Sequence, residues 1–223
     1  DVLNPNLRWL LRDPERRFTL SAEDILLLNP NTRTSPIFRS RRDADLTKAL
    51  CRRTPVLGAA EAASDYHWSL SIPQGLFHQT NDAPLLHDIA QLEADGFVRG
   101  VNGHWSKGAE RLVTMYEGRM IHLFNHRASS VSISEANTFR SGVAVEVTET
   151  DLADPGFVAT PRYWVPGTET EARIPGAYAA GWFPGFKDVT SATNERTMIA
   201  AAMPRTAVVY SIRVVFVLGH GPR

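Results

Sequence analysis

The chain has 223 residues, of which 43% are apolar, so it is long enough to bury a hydrophobic core and its composition does not indicate disorder. Twenty-four Lys and Arg residues balance twenty-four Asp and Glu residues, which excludes nucleic-acid binding driven by net charge but leaves room for a local basic face. The single cysteine, Cys51, excludes an intrachain disulfide and a thiolate-rich zinc site, and the longest apolar run, residues 207–218, is too short to cross a bilayer.

Positive charge is concentrated at the front of the chain. Residues 1–60 carry eleven Lys and Arg against seven Asp and Glu, whereas residues 61–130 carry five against eight and residues 131–223 carry eight against nine. The use of one cysteine fits a reducing cytosol, so we expect a cytoplasmic protein. The first residue, Asp1, indicates a processed product or a piece of a longer chain.

Two helices are predicted in the front segment. In "FTLSAEDILLL", Ser21 is placed as the N-cap with Asp24 three residues later, a variant of the capping box, and the helix is expected to end at Asn29-Pro30. The second helix, "DADLTKALCRR", is expected to begin with Asp43 as its cap, with arginines on both sides of it. Leu46 and Leu50 lie one turn apart on one face of this helix.

The central part of the chain predicts a short strand and then one helix. "YHWSLSI" alternates like a strand before Pro73. In "NDAPLLHDIAQLEADGF", Asp82 is the expected N-cap, Pro84 falls in the first turn, and Gly96 is placed to end the helix. An apolar stripe along this helix consists of Leu85, Leu86, Ile89 and Leu92.

The second half of the chain predicts mostly strands. Residues 111–124 are expected to form a β-hairpin that turns at Glu117-Gly118, and further strands are expected at 142–149, 162–165, 195–203 and 207–218. The sum is an α+β fold: a helical front segment, then a mixed, mainly antiparallel β region with one central helix. We divide the chain into an arginine-rich helical linking segment, 1–60, and an α+β domain, 61–223.

Two short motifs begin like those of an adenine amino-methyltransferase but are incomplete. Such an enzyme needs Asn or Asp, two prolines and an aromatic ring, which together bind the exocyclic amine and stack on a flipped adenine. After Asn29-Pro30 the chain continues with Asn31, and Asn4-Pro5-Asn6 fails in the same way. The chain also lacks a strand, glycine-rich loop and helix in the order that binds adenosylmethionine. We therefore expect neither a catalytic motif nor a cofactor site in this chain.

A second hypothesis is a small metal-dependent nuclease or hydrolase. His122 and His126 are four residues apart, a spacing that on a helix places both imidazoles on one metal, and Glu117 is a nearby carboxylate. The sequence shows no obvious third ligand, and histidines beside Arg127 could equally face a phosphate. Metal analysis and a nuclease assay would separate this hypothesis from DNA binding without chemistry.

The polar stretch "FKDVTSATNERT", residues 186–197, is the best candidate for base contacts. It combines a lysine, an arginine, an asparagine and several hydroxyls, the side chains that bind phosphates and base edges. A solvated loop whose Thr and Asn side chains cap local turns has the same composition. We expect this stretch to lie beside residues 116–127, with Tyr116 and Phe124 serving as core or scaffold.

Four stretches carry a family resemblance: "LSAEDILLLNPNTRTSPIFRSRRDADLTKALCRRTPVL", "MYEGRMIHLFNHRAS", "PRYWV" and "GFKDVTSATNERTMIAAAMPR". In this order they resemble the C-terminal, target-recognition region of the large adenine-specific DNA methyltransferases of bacterial restriction–modification and bacteriophage-exclusion systems. The match runs from about Phe18 to Arg205, and the tail from Thr206 departs from the family.

The resemblance implies a part of a phage-defence enzyme that binds double-stranded DNA without catalysing its methylation. The catalytic domain, which uses S-adenosylmethionine, lies upstream of these segments in the family, so a methyltransferase domain in the parent or a neighbouring chain is the expected partner. Taken with the residue types, the resemblance gives this set of expected DNA-binding residues: Arg33, Arg39, Arg41, Arg42, Arg119, His122, Arg127, Lys187, Asn194, Arg196 and Thr197.

Overall fold

The computed structural model describes residues 9, 12–54, 56, 69–132, 142–191 and 193–219. Helices come first and a mostly antiparallel β region follows, so the fold is α+β, as expected. The chain divides into two compact units: unit 1 contains residues 1–69 and 219–223, and unit 2 contains residues 70–218. No helix among the described residues is long and apolar enough to cross a membrane.

The described residues of unit 1 include the helices α1 (Ala22–Leu28) and α2 (Arg41–Arg53). The capping box of α1 is confirmed, because the Asp24 amide donates to Ser21 Oγ at 3.0 Å and the Ser21 amide donates to the Asp24 carboxylate at 3.2 Å. The predicted cap of α2 was wrong. Ser40 is the N-cap, since its hydroxyl accepts from the Asp43 amide at 3.2 Å, and the helix begins two residues before Asp43.

Ion pairs link α1 to α2. Lys48 Nζ lies 3.6 Å from one Asp24 oxygen, and Arg52 Nη2 lies 3.8 Å from the other. The α2 leucines, Leu46 and Leu50, are 59% and 56% exposed, so the apolar pair read from the sequence does not form a buried stripe.

Unit 2 is built from twelve strands of two to seven residues within its described part. They are β1 (Leu70–Ser71), β2 (Val98–Arg99), β3 (Trp105–Lys107), β4 (Glu110–Tyr116), β5 (Ser129–Ser132), β6 (Val143–Glu146), β7 (Trp164–Pro166), β8 (Trp182–Lys187), β9 (Ala200–Pro204), β10 (Ala207–Val208), β11 (Ile212–Val214) and β12 (Phe216–Val217). Its helices are α3 (Ile89–Ala94), α4 (Glu149–Ala153) and α5 (Gly167–Arg173), with 3₁₀ turns at Ala83–Leu85 and Gly118–Met120.

Strand β4 is the centre of the largest sheet. It pairs antiparallel with β3 and β7 and parallel with β10. A second sheet has the order β11-β8-β9, and two-stranded ladders join β1 with β12 and β5 with β6. The core lies where these sheets meet, and its fully buried members include Phe77, Met115, Met120, Phe183, Met203, Ile212 and Phe216.

A smaller apolar cluster packs around Trp164. Its indole meets Trp105 edge to face at 6.0 Å, and its ring N–H donates to the Gly103 carbonyl at 2.7 Å. Leu92 of α3 and Leu112 of β4 complete the cluster. A fully buried tryptophan therefore has its one polar atom satisfied, as burial requires.

The single helix predicted between residues 81 and 97 is instead two short pieces, Ala83–Leu85 and α3. Asp82 does not cap a helix, because its carboxylate binds the Arg173 guanidinium through two hydrogen bonds of 2.8 and 2.9 Å. Between the two pieces, the His87 backbone pairs with that of Trp164. A new capping box at Asp88 then starts α3, and Gly96, at φ +78°, follows its end as expected.

The predicted hairpin at 111–124 was also wrong. Strand β4 does end at Tyr116, but residues Gly118–Met120 turn inward as a 3₁₀ turn, and Met120 is fully buried. The strand that runs beside the end of β4 is β10, from ninety residues later in the chain. The antiparallel hairpin of β4 is made with β3 through a two-residue turn that contains Gly108 at φ +59°.

The remaining predicted strands are present but shorter. Strands β6, β7 and β9 fall within or beside the expected stretches 142–149, 162–165 and 195–203, whereas 207–218 is divided into the three strands β10, β11 and β12. The strand expected in "YHWSLSI" is seen as β1 (Leu70–Ser71). The first three residues of that stretch, 66–68, lie outside the described residues.

Two glycines of unit 2 test how tightly the backbone packs. Gly75 and Gly96 both have positive φ, but a Cβ at Gly75 would lie 2.7 Å from the backbone at Val209, whereas a Cβ at Gly96 would meet nothing within 4 Å. We expect Gly96→Ala to lower the free energy of unfolding by about 1 kcal/mol through backbone strain alone. Gly75→Ala should lower it by a further ~1–3 kcal/mol, because backbone atoms must move apart. Urea unfolding of both variants measures the difference, and equal losses would contradict the close packing.

Candidate nucleic-acid interface

A cleft of about 450 Å³ opens in unit 2 where β4, β8 and the β10–β11 connection end together. We call it the Lys187 cleft. It is lined by Gln79, Glu117, Gly118, Arg119, Lys187, Asp188, Val189, Val209, Tyr210 and Ser211. Two of the segments in which DNA-binding residues were expected, 116–127 and 187–197, therefore meet at one concave surface.

Backbone hydrogen bonds fix the two sides of the cleft. The Val209 amide donates to the Tyr116 carbonyl at 2.9 Å, and the Asp188 amide donates to the Ser211 carbonyl at 3.0 Å. The Gly118 amide donates to Ser211 Oγ at 2.9 Å. A Cβ at Gly118 would lie 2.9 Å from the Ser211 carbonyl oxygen, so glycine is required for this close approach.

The acidic groups at the cleft are paired or buried. Asp188 forms an ion pair with Arg213, and one Glu117 oxygen lies 3.2 Å from Arg119 Nε. The other Glu117 oxygen, Oε1, is buried without a hydrogen-bond partner among the described residues. Burial raises the pKa of Glu117, and the nearby charges of Arg119 and Arg162 offset only part of that rise.

Lys187 is the cation that this cleft leaves without a partner. Its side chain is half-buried at the end of β8, and in the part of the chain that the structure describes its ammonium has neither a hydrogen bond nor an ion pair. Burial lowers the pKa of Lys187. A partly desolvated, unpaired ammonium binds an anion more strongly than a fully solvated one does.

The loop that follows Lys187 presents polar groups to solvent. Asn194, Arg196 and Thr197 are all exposed. The Thr190 hydroxyl donates to the Thr197 carbonyl at 2.8 Å and the Asn194 amide donates to the Ser191 carbonyl at 3.1 Å, so the loop is held from within. The Asp188 carboxylate forms its ion pair with Arg213, and Arg196 is exposed rather than buried in an ion pair.

Two of the residues expected to contact DNA already bind other groups of this protein through their guanidinium groups. The Arg127 guanidinium donates to the carbonyls of Leu152, Asp154 and Phe157 at 3.0–3.4 Å, a pattern typical of a structural arginine. Arg119 Nη1 donates to the Gly142 carbonyl while its Nε faces Glu117. Arg119 therefore borders the cleft as half of an ion pair rather than as an open cation.

The two histidines of the metal hypothesis lie on a turn and not on a helix. His122 is exposed, whereas His126 is half-buried beside the Tyr116 ring and lines a different cavity of about 550 Å³ with His104. Burial lowers the pKa of both His104, to about 4, and His126. Within the described residues, no group of three or more His, Cys, Asp or Glu side chains could hold a metal ion.

The four arginines expected to contact DNA from unit 1 are all exposed, and they differ in their surroundings. Arg41 donates to the Pro14 and Arg17 carbonyls at 3.4 Å and its guanidinium lies 6.0 Å from the Phe18 ring, so it ties α2 to the preceding loop. Arg33 has φ +54°, Arg39 directly precedes the N-cap of α2, and Arg42 lies in its first turn.

Phe124 differs from the expectation. Tyr116 is a core residue at 3% exposure, as expected, but Phe124 is 87% exposed and has φ +60°. Tyr210 and Ser211 were not expected at the cleft at all. Only the long-range pairing of β10 with β4 brings them there, and no local pattern in the sequence indicates that pairing.

Comparison of the chain with protein-family models, with curated proteins and with solved structures finds no match.

The buried carboxyl of Glu117 should make the free energy of unfolding depend on pH. Its folded-state pKa lies above its usual value of 4.5, so the folded protein holds this proton more tightly than the unfolded chain does. The stability that protonation gives is present at low pH and is lost as the pH rises through the folded pKa. Glu117→Gln cannot titrate, and the free energy of unfolding of the wild type should therefore fall relative to this variant as the pH rises above 4.5.

Urea unfolding of both proteins from about pH 4 to about pH 8 measures this difference. Glu146→Gln, which removes an exposed carboxylate from β6, is the matched control for the change in net charge. A wild type that gains stability over Glu117→Gln with rising pH would contradict the assignment of Glu117 as a buried, incompletely paired acid.

Proposed function

We propose that this chain is the DNA target-recognition region of an adenine-specific DNA methyltransferase of the restriction–modification or phage-exclusion type. It binds duplex DNA in the cytoplasm and positions it for a catalytic domain carried elsewhere. In this proposal the chain performs no chemistry, and S-adenosylmethionine is bound by the catalytic partner.

One structural observation supports DNA binding most directly: Lys187 is a half-buried ammonium without a partner in the described part of the chain, at the edge of a cleft. A phosphate group supplies the negative charge that such a cation lacks. The cleft also joins two of the stretches whose resemblance suggested the family, 115–129 and 185–205. Their adjacency is what a shared binding surface requires.

The exposed loop after Lys187 adds the means to discriminate between bases. Arginine pairs with guanine, and asparagine pairs with adenine, through two hydrogen bonds on the major-groove edge. Arg196 and Asn194 are both exposed on this loop. A phosphate contact at Lys187 would set the register of the DNA, and the loop would read the sequence beside it.

The metal-dependent nuclease remains the rival from another class. It would need His122, His126 and a carboxylate such as Glu117 on one ion, but these side chains face three different surroundings: solvent, the His104 cavity and the Lys187 cleft. Cleavage of DNA by the purified chain on addition of a divalent cation would favour the rival.

Lys187 tests the phosphate contact. We expect Lys187→Ala to weaken binding to duplexes of all sequences similarly and to reduce the slope of log affinity against log salt by about 0.9, the value of one released counterion. Fluorescence anisotropy at several salt concentrations measures both quantities. Because Lys187 has no partner in the described chain, the melting temperature of Lys187→Ala should not fall below that of the wild type.

Lys107→Ala is the matched control for that experiment. This lysine donates to the Asp95 carbonyl at 2.7 Å and lies 5.8 Å from the Phe97 ring, so its charge is already engaged. The same salt slope in Lys187→Ala and in the wild type would place the phosphate contact elsewhere.

Arg196 tests base recognition. If Arg196 pairs with a guanine, Arg196→Ala should lose about 1–3 kcal/mol of discrimination at one position of the DNA site. Selection of bound duplexes from a random-sequence library, with the wild type and the variant in parallel, measures this loss position by position. Arg111→Ala removes an exposed arginine from β4 and serves as the control. Unchanged base preference in Arg196→Ala, or a loss of thermal stability instead, would rule out this role.

A further inference from the structure

Phe124 is the most exposed aromatic side chain in the described part of the chain, at 87%. It occupies the second central position of a tight turn. The His122 amide donates to the Asn125 carbonyl at 2.8 Å, and the Asn125 amide donates back to the His122 carbonyl at 3.0 Å. The turn therefore projects a large apolar ring into solvent, where the ring contributes little to the core.

The backbone of Phe124 is in the left-handed region, at φ +60°. A turn with positive φ at this position normally has glycine or asparagine there, because a Cβ is unfavourable. A bulky side chain at such an angle is an outlier that persists only where the surroundings fix it. Here the Phe124 amide is fixed by a 2.8 Å hydrogen bond to the Ala200 carbonyl.

The hydrogen bond to Ala200 places the Phe124 turn next to the end of the polar loop that follows Lys187. Ala200 begins β9, directly after the loop, and the neighbouring Ile199 carbonyl accepts from the Lys187 amide at 3.0 Å. The loop also exposes the apolar residues Val189 and Met198, at 81% and 58%. The Phe124 turn and the end of β8, which carries the proposed phosphate contact, thus bind consecutive carbonyls at the end of the polar loop, and the start of β9 runs between them.

We propose that the Phe124 ring stacks on a DNA base, entering the base stack where the duplex opens. This inference rests on the proposed function. Apolar side chains that enter a duplex in this way are single protruding wedges flanked by groups that bind the backbone. The ring is such a wedge: one exposed aromatic on a tight turn that is hydrogen-bonded to the start of β9, whose partner strand β8 ends at Lys187.

A protein partner is the competing explanation for an exposed aromatic ring. Protein interfaces bury contiguous apolar patches around their anchor residues. The loop does expose Val189 and Met198, but these two apolar residues do not form a continuous patch in sequence, and most of the exposed loop residues between them are polar, including Asn194, Arg196 and Thr197. The chemistry of this surface is that of a nucleic acid contact, in which a ring stacks on bases and polar groups bind their edges and phosphates.

Phe124→Gly in the full chain separates a role in binding from a role in stability. Glycine relieves the positive φ, so we expect the melting temperature to stay constant or to rise by about 2–4 °C. Affinity for a duplex with a central mismatch, whose bases open easily, should fall about 5- to 150-fold through loss of stacking. The slope against salt should not change, because no phosphate contact is removed.

Two controls accompany this variant. Phe124→Trp keeps an aromatic ring and should keep the affinity of the wild type for the mismatched duplex. Val101→Ala removes an apolar side chain that is 98% exposed on the turn between β2 and β3, and it should leave DNA affinity unchanged.

The outcomes separate this inference from the proposed function. Salt-sensitive DNA binding that depends on Lys187 but is the same in Phe124→Gly would overturn the stacking role alone, and the ring would then fit a protein contact. A melting temperature that falls in Phe124→Gly, or a variant that fails to fold, would also overturn it, because the ring would be structural. A wild type that binds no duplex DNA would overturn both proposals.

Discussion

The parallel pairing of β10 with β4 is the constraint on which the Lys187 cleft depends. It sets Ala207 against Met115 and Val208 against Tyr116, joining strands about ninety residues apart. All four side chains are buried, so a shift in register would expose apolar surface and is strongly disfavoured. Once the register is fixed, the residues that follow each strand, 117–119 and 209–211, must leave the sheet side by side and form two walls of the cleft.

The polar groups around this pairing are divided between those that the fold satisfies and those that it does not. Thr206 Oγ1 donates to the Thr114 carbonyl at 2.6 Å in the interior, and Arg127 and Arg205 each hold several backbone carbonyls. Lys187 and one oxygen of Glu117 have no partner in the described chain. In the proposed function, a bound phosphate supplies the partner that the Lys187 ammonium lacks in the described chain.

Local signals in the sequence predicted local structure well. The capping box at Ser21, the end of α3 at Gly96 and the strands β6, β7 and β9 each depend on residues close together in the chain. The misplaced cap of α2, Ser40 rather than Asp43, is a local failure, whereas the two larger failures involve distant partners. Asp82 carries the residue type of a helix cap, but Arg173, about ninety residues later, binds its carboxylate, and Glu117-Gly118 forms no hairpin because β10 takes the place of the expected return strand. Phe124 was expected in the core or scaffold, and nothing in its sequence neighbourhood reveals the positive φ and the exposure that it has in the structure.

Photo-crosslinking is the most direct test of the claim that the Lys187 cleft and its adjoining loop bind DNA. A duplex that carries photoreactive thymidines at several positions would be irradiated with the full chain, and the crosslinked peptides would be mapped by mass spectrometry. We expect crosslinks in residues 117–124 and 187–199 that disappear at high salt. Crosslinks confined to other parts of the chain, or none above those of an unrelated protein, would contradict it.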